Sequence, residues 1–397
     1  MGAIYATAEM TLIAAAGDDP AYGLPAISRN IFGDGSSLYL NRAKWFSRGW
    51  TMQEGILSRR RLVFCDNGLR FFCDQSGPSF SMMLCNRHRL TDVFPREDYT
   101  LSGRHQLLAQ SEEILSEYVG RQLTFDKDAL NAIVGMFNMF HGRDDSWNHI
   151  WGVPYAAVED VQNPSVYIAI DWPGTTGKRR FGYPSWSPLG WKWRWKLYLS
   201  ITSVLISADD FQVGLWNGHR YEDINTLVSD RVNVHTGSDE SKCMRLTAYS
   251  FEMDDKVWST YGGQPPPWTH GTPQPLVDVA FQAKSAWELT LYSFEQATLQ
   301  LTDDIFVSIE VRYDAEPPCP SMKESLLAVF ISRTCGRGFV LQRHGDRYER
   351  AGDFYVEEMW RDGYSPVHWD EDEDEDIFAS IFTCESSRIK KRTILWG

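Results

Sequence analysis

The run WFSRGWTMQEGILSRRRLVF, residues 45–64, holds the spacing in this chain that most invites a chemical reading. Trp50 and Glu54 stand four residues apart, about one helical turn, which sets a carboxylate beside an indole at the rim of an apolar face. A carboxylate in that position either serves chemistry in a cleft or pairs with Arg59, Arg60 or Arg61 as a rim group. The rim pairing, a surface contact of about 0–1 kcal/mol, is the simpler expectation. Two further acids, Asp18 and Asp19, open the stretch GDDPAYGLPAISR, residues 17–29. They follow an apolar run, at the carboxyl end of a strand, where open α/β sheets bind ligands. Such acids can hold a cation or a ribose; a turn-forming role beside Pro20 is the plainer reading.

Other candidate chemistry is thinner. Trp186, Trp191, Trp193 and Trp195 alternate as in a strand and suit a carbohydrate-type aromatic platform, but packing between a helical and a β region is the stronger expectation. Trp45 and Trp50 read as core tryptophans from their helical spacing. His141 and His149 lack metal-ligand spacing, so no metal site is expected. No G-x-S-x-G, P-loop or H-E-x-x-H motif is present.

The elements that must position these residues are legible from apolar periodicity. MGAIYATAEM reads as the end of an amphipathic helix with Ile4, Tyr5 and Ala8 on one side. MTLIAAA, residues 10–16, is a continuous apolar run, the mark of a strand buried on both faces in a parallel sheet. Residues 43–57 read as one helix with a broad apolar face, and 61–73 as a hairpin turning at Asn67-Gly68. Helices are expected at 106–119 and 126–141, the second capped by Asp126 and stopped by Gly142. From about residue 197 the pattern changes to short β-rich runs with turn-rich spacers, which predicts mainly antiparallel sheet. The acidic run 370–376 reads as a solvated loop.

Composition narrows the function classes. The chain has 397 residues and a net charge of −14, and the seven acids of 370–376 supply half of that excess. An acidic balance of this size argues against a nucleic-acid partner. The seven cysteines are scattered without a C-x-x-C pair, and no secretory signal is visible, so a cytoplasmic, reducing compartment is expected. No apolar run reaches the ~18 residues of a membrane span. Met1-Gly2 opens like a myristoylation signal, but position 6 is Ala, so no lipid or membrane partner is expected.

Several of these stretches resemble the fungal heterokaryon-incompatibility (HET) domain proteins. MGAIYATAEMTLIAAAGDDPAYGLPAISR looks like the second half of a HET domain, and FSRGWTMQEGILSRRRLVF is similar to its closing signature. DALNAIVGMFNMF (128–140) and GYPSWSPLGW (182–191) resemble the segments that commonly follow the domain. The family's opening Y-x-x-L-S-Y-x-W-G and W-I-D-x-x-C-I-D-Q motifs are absent. The usual S-W-S-W reads Ser185-Trp186-Ser187-Pro188. The resemblance therefore implies a chain lacking the first half of the domain, truncated and inactive as an enzyme.

HET domains are thought to be distant relatives of TIR domains, whose W-x-x-x-E helix has the spacing of Trp50 and Glu54. The resemblance implies an α+β chain: a partial TIR-like α/β (HET) unit at 1–75, a helical connecting region at 76–195, and a β-rich region at 196–397. It implies a role in non-self recognition and programmed cell death through a protein partner. The alternative it implies is an NAD glycohydrolase with NAD as substrate rather than cofactor. Glu54 would be its catalytic carboxylate, stabilising an oxocarbenium-like ribose. Trp50, Asp18 and Asp19 would then line the nucleotide site.

Overall fold

The structure is a computed structural model. It describes residues 2–25, 27–28, 43–66, 68–73, 104–159, 164–172, 177–193, 201–206, 209–229, 238–253, 294–301, 305–314, 326–332, 336–361, 367–368, 381–384 and 387–397. These residues form an α+β protein with few helices and mostly β-sheet, divided into two compact units, Met1–Ala156 and Ala157–Gly397.

The first unit begins with helix α1 (Gly2–Thr7) and strand β1 (Thr11–Ala14). A single helical turn, α2 (Lys44–Ser47), precedes helix α3 (Thr51–Leu57) and the hairpin β2 (Arg60–Cys65) and β3 (Gly68–Cys73). β1 runs parallel to β2, with Leu12 opposite Leu62 and Ile13 opposite Val63, so the apolar run does find a neighbour later in the chain. Its burial is one-sided, contrary to the expectation of a strand covered on both faces. Ile13, Val63 and Cys65 form a core cluster with Ala15, packed by Ala43, Trp45 and Phe72. On the other face Leu12 is 61 % exposed and Phe71 40 %. The pairs Leu12–Leu62 and Leu62–Phe71 make these residues one cross-strand row.

The hairpin turns one residue earlier than expected. Cys65 pairs with Gly68, which has φ +144°, a region where L side chains are rare. Asn67 itself lies outside the described residues.

Helix α4 (Arg104–Val119) occupies the expected place. The following segment forms a 3-10 turn at Asp126–Asp128, and α5 starts only at Val134, ending at His141 with Gly142 as its stop. The late start has a cause in competing donors. The Tyr118 hydroxyl takes the Ala129 carbonyl at 2.6 Å, and the Gln53 amide takes the Asn131 carbonyl at 3.1 Å. Those are acceptors that an α-helix through this stretch would use itself. Asp126 does not cap, because the residue preceding the turn is Phe125. The unit closes with β4 (Trp147–Ile150) and the first residues of β5 (Val153–Glu159), joined by Trp151-Gly152 with both φ values positive, as a two-residue hairpin loop requires.

The second unit contains β6 (Pro164–Asp171), β7 (Gly177–Arg179), β8 (Trp191–Trp193), β9 (Thr202–Ile206), β10 (Phe211–Trp216), β11 (Tyr221–Asp223), helix α6 (Ile224–Ser229) and β12 (Met244–Met253). It continues with β13 (Phe294–Gln300), β14 (Ile305–Tyr313), β15 (Leu326–Phe330), β16 (Arg337–His344), β17 (Arg347–Arg361), β18 (Val367–His368) and β19 (Lys390–Trp396). Ten of these strands form one sheet along the path β11-β10-β12-β15-β16-β17-β14-β13, with β18 on β17 and β19 on β12 and β17. Every pairing in it is antiparallel except the single Tyr348–Trp396 contact of β17 with β19, which bears out the antiparallel expectation for this half. Its core includes Phe251, Phe330 and Phe354, the last two edge-on at 5.1 Å.

The segment PSWSPLGW is part of that unit's framework. Trp186 is fully buried and donates to the Lys242 carbonyl at 2.9 Å, while the Trp191 indole donates to the Ser185 carbonyl at 2.9 Å. The Ser185 hydroxyl donates to the Gly397 carbonyl and accepts the Arg350 amide at 2.9 Å. Packing is therefore the role of Trp186 and Trp191, not display to a sugar. The side chain of Trp193, all of Trp195, and the acidic run 370–376 lie outside the described residues.

Candidate functional site

Residues 43–57 do not form one helix, and the break explains the site. Arg48 is extended at φ −84°, ψ 139°, and bridges in parallel to Gln122. The Gln122 amide donates to the Ser47 carbonyl at 2.6 Å, and the Gly49 amide donates back to the Gln122 carbonyl at 2.8 Å. A Cβ on Gly49 would meet Leu123 Cδ2 at 2.7 Å, so a residue without a side chain is what lets the two segments approach. The Thr51 hydroxyl spans the break, 2.5 Å from the Trp45 carbonyl and 2.8 Å from that of Arg48.

That break brings Trp45 to Glu54. In a continuous helix residues nine apart lie about 180° from each other on the helical wheel, on opposite faces. Here the Trp45 indole N–H donates to Glu54 Oε2 at 2.9 Å. The Tyr5 hydroxyl, from α1, donates to Glu54 Oε1 at 3.2 Å. Both carboxylate oxygens of this half-buried side chain are thus held by neutral aromatic donors. Burial, and secondarily the Glu54 charge and hydrogen bond, push the Tyr5 hydroxyl above its usual pKa, so it remains the donor at neutral pH.

The expected arginine pairing of Glu54 is not what forms. Arg60 pairs with Glu9 at 3.2 Å, and Arg61 donates to the Gly55 carbonyl at 2.5 Å while its guanidinium lies over Phe72. Arg59 is exposed. The apolar motif residues pack as the sequence suggests, with Met52, Gln53, Ile56 and Leu57 buried. Trp45, though half-buried, packs against the core cluster of the β1–β2–β3 sheet, whereas Trp50 is half-buried and is not the core tryptophan expected from its spacing. Trp50 occupies the N-cap position of α3, and the indole bonded to Glu54 is that of Trp45.

Asp19 takes the turn-forming role: its Oδ1 accepts the amides of Ala21 and Tyr22 at 2.8 and 3.1 Å, capping the 3-10 turn Pro20–Tyr22. Asp18 is exposed, and its carbonyl accepts the Lys44 ammonium at 2.8 Å. Lys44 precedes Trp45, so the loop after β1 is tethered to the same short helix that reaches Glu54. Sequence reasoning missed Tyr5 and Trp45 as partners. No spacing signal links them to Glu54, because the contact depends on a helix break set by residue 122.

The arrangement provides a positioned carboxylate beside two aromatic rings. Burial pushes the nearby Cys65 thiol up to about 11, leaving little thiolate at neutral pH, so it adds no nucleophile. Among the described residues no group of three or more His, Cys, Asp or Glu side chains is placed to hold a metal ion, and no helix is long and apolar enough to cross a membrane. Comparison of the chain with family models, curated proteins and solved structures returns no match.

Proposed function

We propose that this chain is a HET-domain-related protein of fungal non-self recognition and programmed cell death, cytoplasmic, and acting through a protein partner. The observation that carries the reading is the outward cross-strand row Leu12–Leu62–Phe71, on the face of the β1–β2–β3 sheet opposite its packed core. Apolar side chains in a continuous row on an open sheet face mark an interaction surface more than a solvated one. Its central residue, Leu62, lies on β2, the strand that follows the R-G-W-T-M-Q-E segment, the part of the chain most similar to the family. The test is inducible expression in a filamentous fungus, comparing the chain with Leu12→Asp and Phe71→Asp variants. Growth arrest that both variants abolish, with circular dichroism unchanged, supports the reading. Arrest that survives both variants removes the sheet face from it.

A second reading, a TIR-like NAD glycohydrolase, draws support from Glu54, whose oxygens are oriented by Tyr5 and Trp45 and, among the described residues, are paired with no arginine. Such a carboxylate suits the stabilisation of a cationic ribose. One oriented carboxylate is insufficient by itself, since turnover also needs substrate positioning and exclusion of water. The purified chain is expected to release no nicotinamide above buffer. Release that Glu54→Gln abolishes would bring this second reading to the front.

A further inference from the structure

Arg121 is 4 % exposed, yet among the described residues it pairs with no carboxylate. Its guanidinium lies over the Phe46 ring at 4.4 Å, and its one hydrogen bond is a long contact from Nη1 to the Arg48 carbonyl, 3.4 Å. The other two nitrogens, Nε and Nη2, are enclosed and have no hydrogen-bond partner. These two are not an arbitrary pair. Nε–H and the neighbouring Nη2–H form the side-on edge of the guanidinium, the planar fork that receives both oxygens of one carboxylate or phosphate.

Burial lowers the Arg121 pKa to about 10, with Glu117 and Tyr118 opposing, so the group is still a cation at neutral pH. A buried cation with an empty fork is costly to a fold, and native proteins satisfy nearly all such donors. The position is also built rather than incidental. The backbone of Gln122, the next residue, is stitched on both sides to the α2–α3 break through Ser47 and Gly49, which fixes where Arg121 starts. Phe46, which covers one face, is itself half-buried, so the guanidinium lies one side chain from solvent.

We propose that the Nε/Nη2 edge of Arg121 is a binding fork for a small oxyanion of the carboxylate or phosphate type, seated at the α2–α3 break. The site stands on the geometry of Arg121 alone and is independent of the partner surface and of Glu54. Oxyanion binding completes the two enclosed donors and holds α2 against the segment that follows α4.

The experiment uses the full chain, with inorganic phosphate and acetate as separate probes against chloride at constant ionic strength. Binding is read by isothermal titration calorimetry and by melting temperature, for the wild type, Arg121→Met and Arg121→Lys. The wild type is expected to show saturable one-to-one binding of at least one probe and a saturable rise in melting temperature. Tighter binding of phosphate than acetate identifies a phosphate-type ligand, and the reverse a carboxylate. Arg121→Lys, which keeps the charge but loses the fork, should bind at least about tenfold more weakly, in line with the geometric value of the bidentate pair. Arg121→Met should lose binding while melting no lower than the wild type in chloride, because it removes a buried charge to which, among the described residues, no carboxylate is bonded. Equal responses of wild type and Arg121→Met would reduce the effect to general salting of the folded state and overturn the proposal. So would an Arg121→Met protein much less stable in chloride, which would mean that the cation already has a partner inside the fold.

Discussion

Glu54→Gln is the residue change that best separates a held carboxylate from a solvated one. The amide can accept from one aromatic donor but presents N–H groups to the other. One charge-assisted hydrogen bond is lost, and a decrease of about 1–2 kcal/mol is expected in denaturant titration. Trp45→Phe, which removes only the indole N–H, should cost about 1 kcal/mol. A double mutant no worse than the worse single variant would show that the two changes report one contact. Trp50→Ala should fall well below the ~3–5 kcal/mol of a fully buried tryptophan such as Trp186, because Trp50 is half-buried. His149 carries a pH dependence. Its Nδ1 is enclosed without a partner, its ring packs on Phe137 at 4.8 Å, and burial, with a smaller part from His141, lowers its pKa to about 4. Its folded pKa lies below the unfolded value of 6.5, so the unfolded chain binds the extra proton first. The stabilisation is complete above the unfolded value, falls as pH drops from about 6.5 toward 4, and levels off below that. The ring is partly accessible, so about 1–3 kcal/mol is the expected span, and His149→Phe should flatten that part of a stability-versus-pH curve.

At the scale of elements, helix–helix contact rests on glycine where propensity alone argues for alanine. Gly135 of α5 lies against Gly2 of α1 and Gln53 of α3. A Cβ there would meet Gln53 Oε1 at 2.1 Å and the Gly2 Cα at 3.0 Å. Gly135→Ala should therefore destabilise by about 1–3 kcal/mol, although alanine is the better helix former by roughly 1 kcal/mol. Melting of this variant at or above the wild type would contradict the close approach. The elements also show what the sequence made readable. α4, the β2–β3 hairpin and the antiparallel strands of the second unit follow from local periodicity and turn residues. The break at Arg48 and the late start of α5 do not, because both depend on distant donors: the backbone of Gln122 for the first, Tyr118 and Gln53 for the second. The half-exposure of β1 was equally hidden, since an apolar tetrapeptide reads the same whether one face or both are covered.

At the scale of the whole molecule, the two units use different means of specification. The second unit centres on a fully buried ion pair, Arg350 Nε to Asp314 Oδ2 at 2.7 Å, with the guanidinium also donating to the Trp172 carbonyl and lying over its ring at 4.1 Å. Removing one partner, as in Arg350→Met, should cost about 3–5 kcal/mol, and adding Asp314→Leu should restore part of it. Among the described residues the first unit has no such pair in its core. Its distinctive feature is the open apolar row Leu12–Leu62–Phe71, and the candidate carboxylate Glu54 belongs to the same unit. The acids were legible as candidates from the sequence. Their surroundings were not, because Tyr5 and Trp45 reach Glu54 only through the folded contact of α1, α2 and α3. The most direct test of the interaction reading is growth after induced expression in a fungal host of the wild-type chain, Phe71→Asp and Glu54→Gln in parallel. Arrest by the wild type and by Glu54→Gln, with recovery in Phe71→Asp at equal protein level, is the result expected of a protein that acts through its sheet face. Arrest by Phe71→Asp with recovery in Glu54→Gln would contradict it and place the activity at the carboxylate.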